Sequence, residues 1–402
     1  MEHALAWLGG LSLAAWSILT LGRARFWYAD QRLEGGEAPP IPWPAVAAVV
    51  PARDEADVVE SALTSLLDQD YPGAFRIVLV DDESRDGTGE IATRLAARHP
   101  RGARLVVLRS APRPAAWVGK VWALACGVAR AERELPDAAY WLFADADVQH
   151  SPGNLRRLVA KACADRLDLV SLMVRLSDAR GWERLLVPAF VYFFQKLYPF
   201  RAVNDARRRV AGAAGGCALV RREALERAGG VEVLRGEIID DCALARAIKR
   251  GGPIWLGLTC SERSLRPYGG LRGVWRMVAR SAFTQLRHSN ALLAGTLLGL
   301  VLLYGAPPLL ALGYPLHGHA LAALLGAAAW LVLALSFGPT LALYERPAWW
   351  GFLLPVAGLL YAGMTLDSAR RHRRGEGASW KGRSGAGSPA AAGRADGPAP
   401  SG

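Results

Sequence analysis

Charged residues are distributed very unevenly along this chain, and two long stretches contain almost none. Residues 4–22 carry no charge, and over 291–366 the only charged side chains are Glu345 and Arg346. A helix needs about 20 apolar residues to cross the hydrocarbon core of a bilayer. The pattern therefore predicts a transmembrane anchor over residues 1–25 and several transmembrane helices over 291–366. Three spans are expected in the second stretch, near 291–312, 318–340 and 349–366.

Between these stretches, residues 45–290 alternate short apolar runs with segments of helical periodicity, after a linker over 26–44. Val-rich or aromatic runs typical of buried strands lie at 46–52, 76–80, 104–108, 140–144 and 167–176. Apolar residues recur at three and four positions in the stretches between them, near 58–69, 87–99 and 119–133. Alternating strands and helices predict right-handed crossovers and an α/β fold, a Rossmann-like parallel-core sheet with helices on both faces.

Basic residues flank the apolar stretches. Arg23 and Arg25 follow the first stretch, whereas Glu2 and no Lys or Arg precede it. This order favours an uncleaved anchor over a signal peptide, and it places residues 45–290 in the cytoplasm. A basic cluster also follows the last stretch: Arg370, Arg371, Arg373 and Arg374.

Three C-terminal crossings would leave this basic cluster outside, against the positive-inside rule. Either one candidate span is interfacial or re-entrant, or the tail breaks the rule. The sequence Gly-Ala-Pro-Pro at 305–308 makes the first candidate the least regular. The segment 367–402 is basic at first, and from Ser384 onward its Gly, Ala, Pro and Ser content predicts disorder.

Composition narrows the possible functions. The net charge of +12 could indicate nucleic acid binding, but the basic clusters flank membrane spans, so nucleic acid is not expected as a partner. The five cysteines are an odd number without a Cys-x-x-Cys pair, which predicts neither a disulfide framework nor a zinc site.

Acidic residues stand at the carboxyl ends of the predicted strands, where parallel sheets bind ligands. Asp54 and Glu55 follow the first strand, and Asp81 and Asp82 end the second. The fourth strand is followed by an Asp-Ala-Asp triplet. Carboxylates gathered at one edge repel one another unless a cation or hydrogen-bond donors are present. Lys120, at the start of a predicted helix, is a candidate for the cation that these carboxylates need.

The triplet Asp145-Ala146-Asp147 follows the fourth strand. In an extended segment alternate side chains point the same way, so Asp145 and Asp147 can face one ion. Such triplets are often solvated turn residues, but here three acid-tipped strands favour a metal. Mg²⁺ or Mn²⁺ bridging a diphosphate is the expected occupant, because Mg²⁺ prefers a few carboxylates plus phosphate oxygens.

These motifs resemble glycosyltransferase family 2, the inverting, nucleotide-sugar-dependent enzymes of GT-A fold. The resemblance covers residues 45 to about 290 and is carried by VVPARDEADVVESALTSLLDQDYP, IVLVDDESRDGT, Gly119-Lys120 and FADADV. It implies that donor-binding residues line a nucleoside and diphosphate pocket, with Asp145 and Asp147 holding the metal. The implied donor-binding residues are Pro51, Ala52, Arg53, Glu55, Asp81, Asp82, Lys120 and Asp145.

Inversion requires a general base on the acceptor side, and in this family it comes from an acidic pair that opens a helix. The match here is Asp240-Asp241, where the family more often has Glu-Asp. We expect Asp241 to be the base and Asp240 to be a helix cap or supporting residue. The alternative is that both acids only cap the helix.

The acceptor is expected to be a membrane lipid. The family's QxxRW motif of processive members is missing, and an amphipathic basic stretch, 275–289, leads into the first C-terminal span instead. Interfacial helices are therefore expected near 182–200 and 270–289, although 182–200 could also pack on the sheet.

At finer grain the chain resembles the bacterial hopanoid-biosynthesis-associated glycosyltransferases, which implies an inner-membrane, multi-pass enzyme with a cytoplasmic catalytic domain. The resemblance includes VARSAFTQL, MTLDSARRHRR and the segment 380–383. Ceramide, carotenoid and polyprenyl-phosphate acceptors remain alternatives. Outside this class, the alternatives are a non-catalytic nucleotide-binding membrane module and a nucleotidyltransferase, and the sequence names no protein partner.

Overall fold

The computed structural model describes residues 2–33, 42–375, 379–380 and 383–384. The chain divides into two compact units that are interleaved in sequence. The sheet unit comprises Leu33–Arg175, Ala211–Arg266 and Arg370–Gly402, and the helical unit comprises Met1–Arg32, Leu176–Val210 and Pro267–Ala369. The tail beyond residue 384, for which disorder is predicted, lies outside the described residues, as do positions 34–41 of the predicted linker and part of 380–383.

Within the described residues, the sheet unit contains one sheet of eight strands, ordered β3-β2-β1-β4-β7-β6-β8-β5. The strands are β1 (Val46–Ala52), β2 (Phe75–Asp81), β3 (Leu105–Arg109), β4 (Tyr140–Ala144), β5 (Val148–Gln149), β6 (Leu169–Arg175), β7 (Cys217–Arg221) and β8 (Ile254–Ser264). Two-residue strands β9 (Ser379–Trp380) and β10 (Arg383–Ser384) pair separately.

The predicted parallel core is confirmed in β3, β2, β1 and β4. The sheet then changes direction, because β7 pairs antiparallel with both β4 and β6. β8 runs parallel to β6 and antiparallel to β5. The α/β prediction therefore holds, and the far half of the sheet is mixed.

Hydrophobic burial explains why the central strands form. Alternate residues of a strand point to opposite faces. The residues of β1 from Val46 to Val50 are all fully buried, so both faces of this strand are covered. The helices of the sheet unit are α2 (Val59–Leu67), α3 (Thr88–Arg98), α4 (Gly119–Glu134), α5 (Asn154–Ala164), α8 (Arg222–Arg227) and α9 (Asp240–Lys249).

Among the described residues, four helical segments are long and apolar enough to cross a membrane: His3–Gly22, Asn290–Leu312, Ala320–Leu343 and Ala348–Arg373. These match the predicted anchor and the three predicted C-terminal spans. The helices of the helical unit are α1 (Glu2–Gly22), α6 (Glu183–Leu197), α7 (Phe200–Asn204), α10 (Leu271–Gln285), α11 (Asn290–Leu300), α12 (Ala306–Leu312), α13 (Tyr314–His317), α14 (Ala320–Leu343) and α15 (Leu354–Arg373).

The second span is irregular, as its two prolines predict. A π-helical segment, Val301–Gly305, lies between α11 and α12. Pro307 has no N–H and therefore leaves the carbonyl of Leu303 without its helical donor. The indole of Trp16 in α1 donates to that carbonyl at 2.8 Å. The neighbouring carbonyl of Leu302 accepts from Ser12 at 3.0 Å, so α1 satisfies the groups that the irregular turn releases.

α6, which covers the aromatic stretch 182–200, packs on the apolar helices of its own unit. The Tyr192 hydroxyl hydrogen-bonds Ser336 of α14 at 2.6 Å, and the Tyr361 hydroxyl of α15 donates to the carbonyl of Leu186 at 2.9 Å. The headgroup-level position expected for this segment stays a prediction.

Close packing of α4 on the central strands gives a test of the sheet unit. A Cβ atom at Gly127 would lie 2.2 Å from Cγ1 of Val49 and 2.9 Å from Cγ2 of Val80. Gly127→Val should therefore overpack this contact and cost about 1–3 kcal/mol. In the detergent-solubilised protein this corresponds to a melting temperature about 2–10 °C lower. Gly236→Val is the control, since a Cβ there meets nothing within 4 Å; equal melting temperatures of the two variants would contradict the packing argument.

Candidate active site

The acidic edge predicted from the sequence exists. In the parallel register Ala52 of β1 lies beside Asp81 of β2, so the carboxyl ends of these strands meet at one edge. The backbone N–H of Asp145, just beyond β4, donates to the carbonyl of Gly216 at 3.3 Å. The strand ends thereby bring the residues after β1, β2 and β4 together at one edge of the sheet.

Asp82 is fully buried, and its carboxylate is held within the protein. The Ser110 hydroxyl donates to Oδ1 at 2.9 Å, and the Arg53 guanidinium lies 3.6 Å from Oδ2. Arg53 also donates to the backbone carbonyl of Asp82. Asp82, which the resemblance lists among the donor-binding residues, therefore orients Arg53 beside Pro51 and Ala52 at the end of β1.

Asp54 connects the two loops that follow β1 and β2, and Asp81 bonds within the second of them. Oδ1 of Asp54 accepts from the N–H of Arg85 at 2.9 Å, and Oδ1 of Asp81 accepts from the N–H of Ser84 at 3.0 Å. Asp54 has a φ of 49°, in the left-handed region. These bonds fix the shape of the loops, so Asp81 acts on the loop backbone in this structure.

Lys120 is the positive centre of the site. Its ammonium lies 2.8 Å from Asp145 and 3.5 Å from Asp240, so it joins the predicted metal side to the predicted acceptor side. Burial disfavours the charged ammonium, but Asp145 and Asp240 outweigh that effect and raise the pKa of Lys120 above its ordinary value. The cation that the acidic edge requires is therefore supplied, in part, by α4.

Asp147 lies deeper than Asp145, and burial together with the charge of Asp145 raises its pKa. The Ser264 hydroxyl donates to Oδ2 of Asp147 at 3.1 Å. Nε of Arg266 lies 3.7 Å from the same oxygen, and the guanidinium also pairs with Glu55. Asp147 is thus surrounded by donors at the end of β8.

The donor set fits a divalent ion that shares its coordination with phosphate. Within the described residues no group of three or more His, Cys, Asp or Glu side chains forms a complete metal cage. Asp145 and Asp147 supply hard oxygen ligands. Mg²⁺ and Mn²⁺ accept a site of this kind when a diphosphate and water complete the coordination.

Asp241 occupies the first turn of α9. Its Oδ2 accepts from the N–H of Gly215 at 3.0 Å, and its Oδ1 accepts from the N–H of Cys242 at 2.7 Å. Burial and the neighbouring Asp240 charge raise the pKa of Asp241 to about 6, partly opposed by Lys120. A carboxyl group with such a pKa is ionised at neutral pH and can still accept a proton.

The expected capping role of Asp240 is not observed. The N-cap of α9 is Ile239, and no side chain caps this helix. Asp240 is the first residue inside the helix and pairs with Lys120 instead, because a buried ammonium offers a stronger partner than a backbone N–H.

These groups border a pocket of the sheet unit that is open to solvent. Lys120, Asp145, Asp240 and Asp241 contribute its polar lining, and the rest is largely apolar, including Leu124, Phe143 and Leu244. Gly215 lies at this pocket, where a Cβ would approach Nζ of Lys120 to 3.3 Å. Glycine at position 215 therefore leaves space beside the charged groups.

Sequence reasoning missed two contributors to the site, Ser110 and Arg266. Ser110 directly follows β3, so the rule of strand ends that singled out the acids could have found it. Arg266 has no comparable signal, because its position beside Asp147 depends on the antiparallel pairing of β5 with β8.

Comparisons with known proteins agree with this architecture. Residues 47–229 match the family model described as Glycosyl transferase family 2. An N-acetylglucosaminyltransferase of Rhizobium meliloti (strain 1021) is 39% identical over 62 residues, which is 15% of each chain. An undecaprenyl-phosphate 4-deoxy-4-formamido-L-arabinose transferase of Pseudomonas aeruginosa (strain LESB58) is 29% identical over 181 residues, 44% of this chain and 45% of the relative. The chain thus spans less than half the length of these two relatives.

Among solved structures, the mannosyltransferase PcManGT from Pyrobaculum calidifontis, in complex with GDP-Man and Mn²⁺, is similar with a TM-score of 0.52. The likeness covers 91% of this chain and 99% of that one, at 22% identity, and it supports the fold. The family match over residues 47–229 and the likeness to this structure agree on a GT-A fold.

Proposed function

We propose that the protein is a membrane-bound, inverting glycosyltransferase that moves a sugar from a nucleotide sugar to a membrane lipid. The observation that carries the proposal is the position of Lys120, which pairs at once with Asp145 and with Asp240. A donor diphosphate and an acceptor hydroxyl must meet within a few ångströms for transfer. Lys120 lies between Asp145, on the proposed donor side, and Asp240, on the proposed acceptor side, so the two sides are within that distance of each other.

On the donor side, Pro51, Ala52 and Arg53 are proposed to line the nucleoside pocket, with Asp82 orienting Arg53. Glu55 and Asp81 complete this side, and Lys120 would meet the phosphates as its pairs with carboxylates rearrange. Asp145 and Asp147 would hold Mg²⁺ or Mn²⁺, which would neutralise negative charge on the departing nucleoside diphosphate.

On the acceptor side, Asp241 is proposed as the general base. It would take the proton from the acceptor hydroxyl while that oxygen attacks the anomeric carbon, which inverts the configuration there. Its two backbone N–H partners keep the carboxylate in one orientation. Asp240 would support the reaction through Lys120.

The lipid acceptor is supported by the four apolar helices and by a relative whose name specifies undecaprenyl phosphate. Four arginines of the segment 271–289 are exposed and precede the second span: Arg272, Arg276, Arg280 and Arg287. Under the positive-inside rule they support an inner-membrane protein whose catalytic domain faces the cytoplasm. A hopanoid acceptor is our finer proposal, based on the sequence resemblance, and a polyprenyl phosphate is the alternative.

The acceptor can be identified by comparing lipid extracts of a deletion strain and its parent by mass spectrometry. We expect one glycolipid to disappear on deletion and to return with the wild-type gene but not with an Asp241→Asn gene. A lost hexosyl-hopanoid would support the finer proposal, and a lost polyprenyl-phosphate sugar would replace it. Identical lipid profiles under conditions where the protein is made would contradict a lipid acceptor.

The metal pair is tested by Asp145→Asn and Asp147→Asn, which remove a charge while keeping the side-chain shape. We expect metal affinity to fall about 10–100-fold or more and transfer to fail, because two carboxylates supply the protein's share of the coordination. Asp137→Asn, an exposed carboxylate before β4, is the control for loss of one negative charge. Full activity of the double variant in EDTA would exclude a metal at this pair.

The base is tested by Asp241→Asn, which should keep nucleoside diphosphate binding but slow transfer by about 10² to 10⁴. Since the base must be ionised, kcat/KM of the wild type should fall about tenfold per pH unit below about pH 6, the pKa to which burial raises Asp241. Asp240→Asn should cost less, because its carboxylate acts through Lys120.

Calorimetry with nucleoside diphosphate and a turnover assay on both variants separate the alternatives. If only Asp240→Asn were inactive, the base would be Asp240. If both variants turned over normally, the non-catalytic nucleotide-binding module would be the better description. Release of pyrophosphate in place of a nucleoside diphosphate would indicate a nucleotidyltransferase.

A further inference from the structure

Arg266 connects two parts of the site that the proposed function treats separately. Its guanidinium pairs with Glu55, which follows β1 on the nucleoside side, and its Nε lies 3.7 Å from Oδ2 of Asp147 on the metal side. Its side chain is 40% exposed, whereas those of Glu55 and Asp147 are 11% and 21% exposed. A half-exposed cation thus lies against two largely buried carboxylates.

The backbone fixes where this arginine begins. β5 pairs with β8 so that Val148 lies opposite Ser264, and the N–H of Leu265 donates to the carbonyl of Asp147 at 2.7 Å. The next residue is Arg266, so its Cα is held beside Asp147. An arginine side chain has several rotatable bonds beyond that point, so the guanidinium can change position without a change in the backbone.

The cations that lie beside Asp145 and Asp147 affect how a metal would bind to these two aspartates. Asp145 already has a cationic partner in Lys120, at 2.8 Å, whereas the cation beside Asp147 is Arg266. A divalent ion on the two aspartates would be close to the guanidinium, and like charges in a partly buried site repel strongly. Arg266 and the metal therefore compete for the carboxylate of Asp147.

A bound diphosphate changes the balance, because its oxygens bring new negative charge to the same place. Arginine pairs with phosphate through two parallel N–H bonds. We propose that Arg266 is a displaceable counter-cation: it neutralises Asp147 until a metal–diphosphate complex arrives, then leaves Asp147 to the metal and binds the diphosphate. This inference rests on the proposed function, and it predicts that metal and nucleotide bind together better than either binds alone.

The test uses the full chain in detergent and measures binding, with Mn²⁺ followed by electron paramagnetic resonance and GDP or UDP followed by calorimetry. In Arg266→Gln we expect Mn²⁺ alone to bind about 3–10-fold more tightly, because its competitor is gone. Binding of GDP or UDP in the presence of Mn²⁺ should weaken about tenfold, because a charged hydrogen-bond donor is lost. Arg266→Lys keeps the charge and should retain the weak binding of Mn²⁺ alone.

Arg263→Gln is the matched control, since it removes the same charge from an exposed position of β8, three residues earlier in the chain. It should change neither affinity. If Arg266→Gln binds Mn²⁺ no more tightly than the wild type, or if nucleotide binding is unaffected, the counter-cation role is wrong while the proposed function stands. If the wild type binds neither Mn²⁺ with nucleotide nor nucleotide alone, the proposed function fails and the inference fails with it.

Discussion

Neutralisation of carboxylates at the carboxyl edge of the sheet is the constraint on which the rest of this site depends. A parallel sheet brings the ends of its strands together, and in this chain those ends carry acids. Lys120 lies 2.8 Å from Asp145 and 3.5 Å from Asp240, and without it these charges would destabilise the fold they sit on. The same groups are the ones that the proposed function assigns to the metal and to the donor phosphates.

The donors around each carboxylate determine what that carboxylate can do. Asp82 is fully buried against Ser110 and Arg53, so it supports its neighbours and is unsuited to act as a base. Asp241 is buried beside another acid, and the resulting rise in its pKa to about 6 gives it useful basicity near neutral pH. Chemically identical side chains thus take different roles because their environments differ.

Much of this arrangement could be predicted from local sequence. The strands β1 to β4 were predictable because each is a continuous apolar run, and the acids at their ends follow from strand direction. The place of β7 between β4 and β6 could not be predicted, since it depends on pairing between distant segments. The ion pair of Asp240, for which a helix cap or a supporting role was expected, depends on Lys120, far away in sequence. Arg266 is one of 48 basic residues, and only the β5–β8 pairing distinguishes it.

The hydrogen bond from Trp16 to Leu303 joins two helices separated by 287 positions in the chain. During synthesis α1 leaves the ribosome first, and its partner follows only after all eight strands of the large sheet have been made. The bonds from the indole of Trp16 and the hydroxyl of Ser12 to the carbonyls of the π-helical turn can therefore form only after α11 and α12 have been made. This contact between α1 and the π-helical turn is consequently a late event in biogenesis.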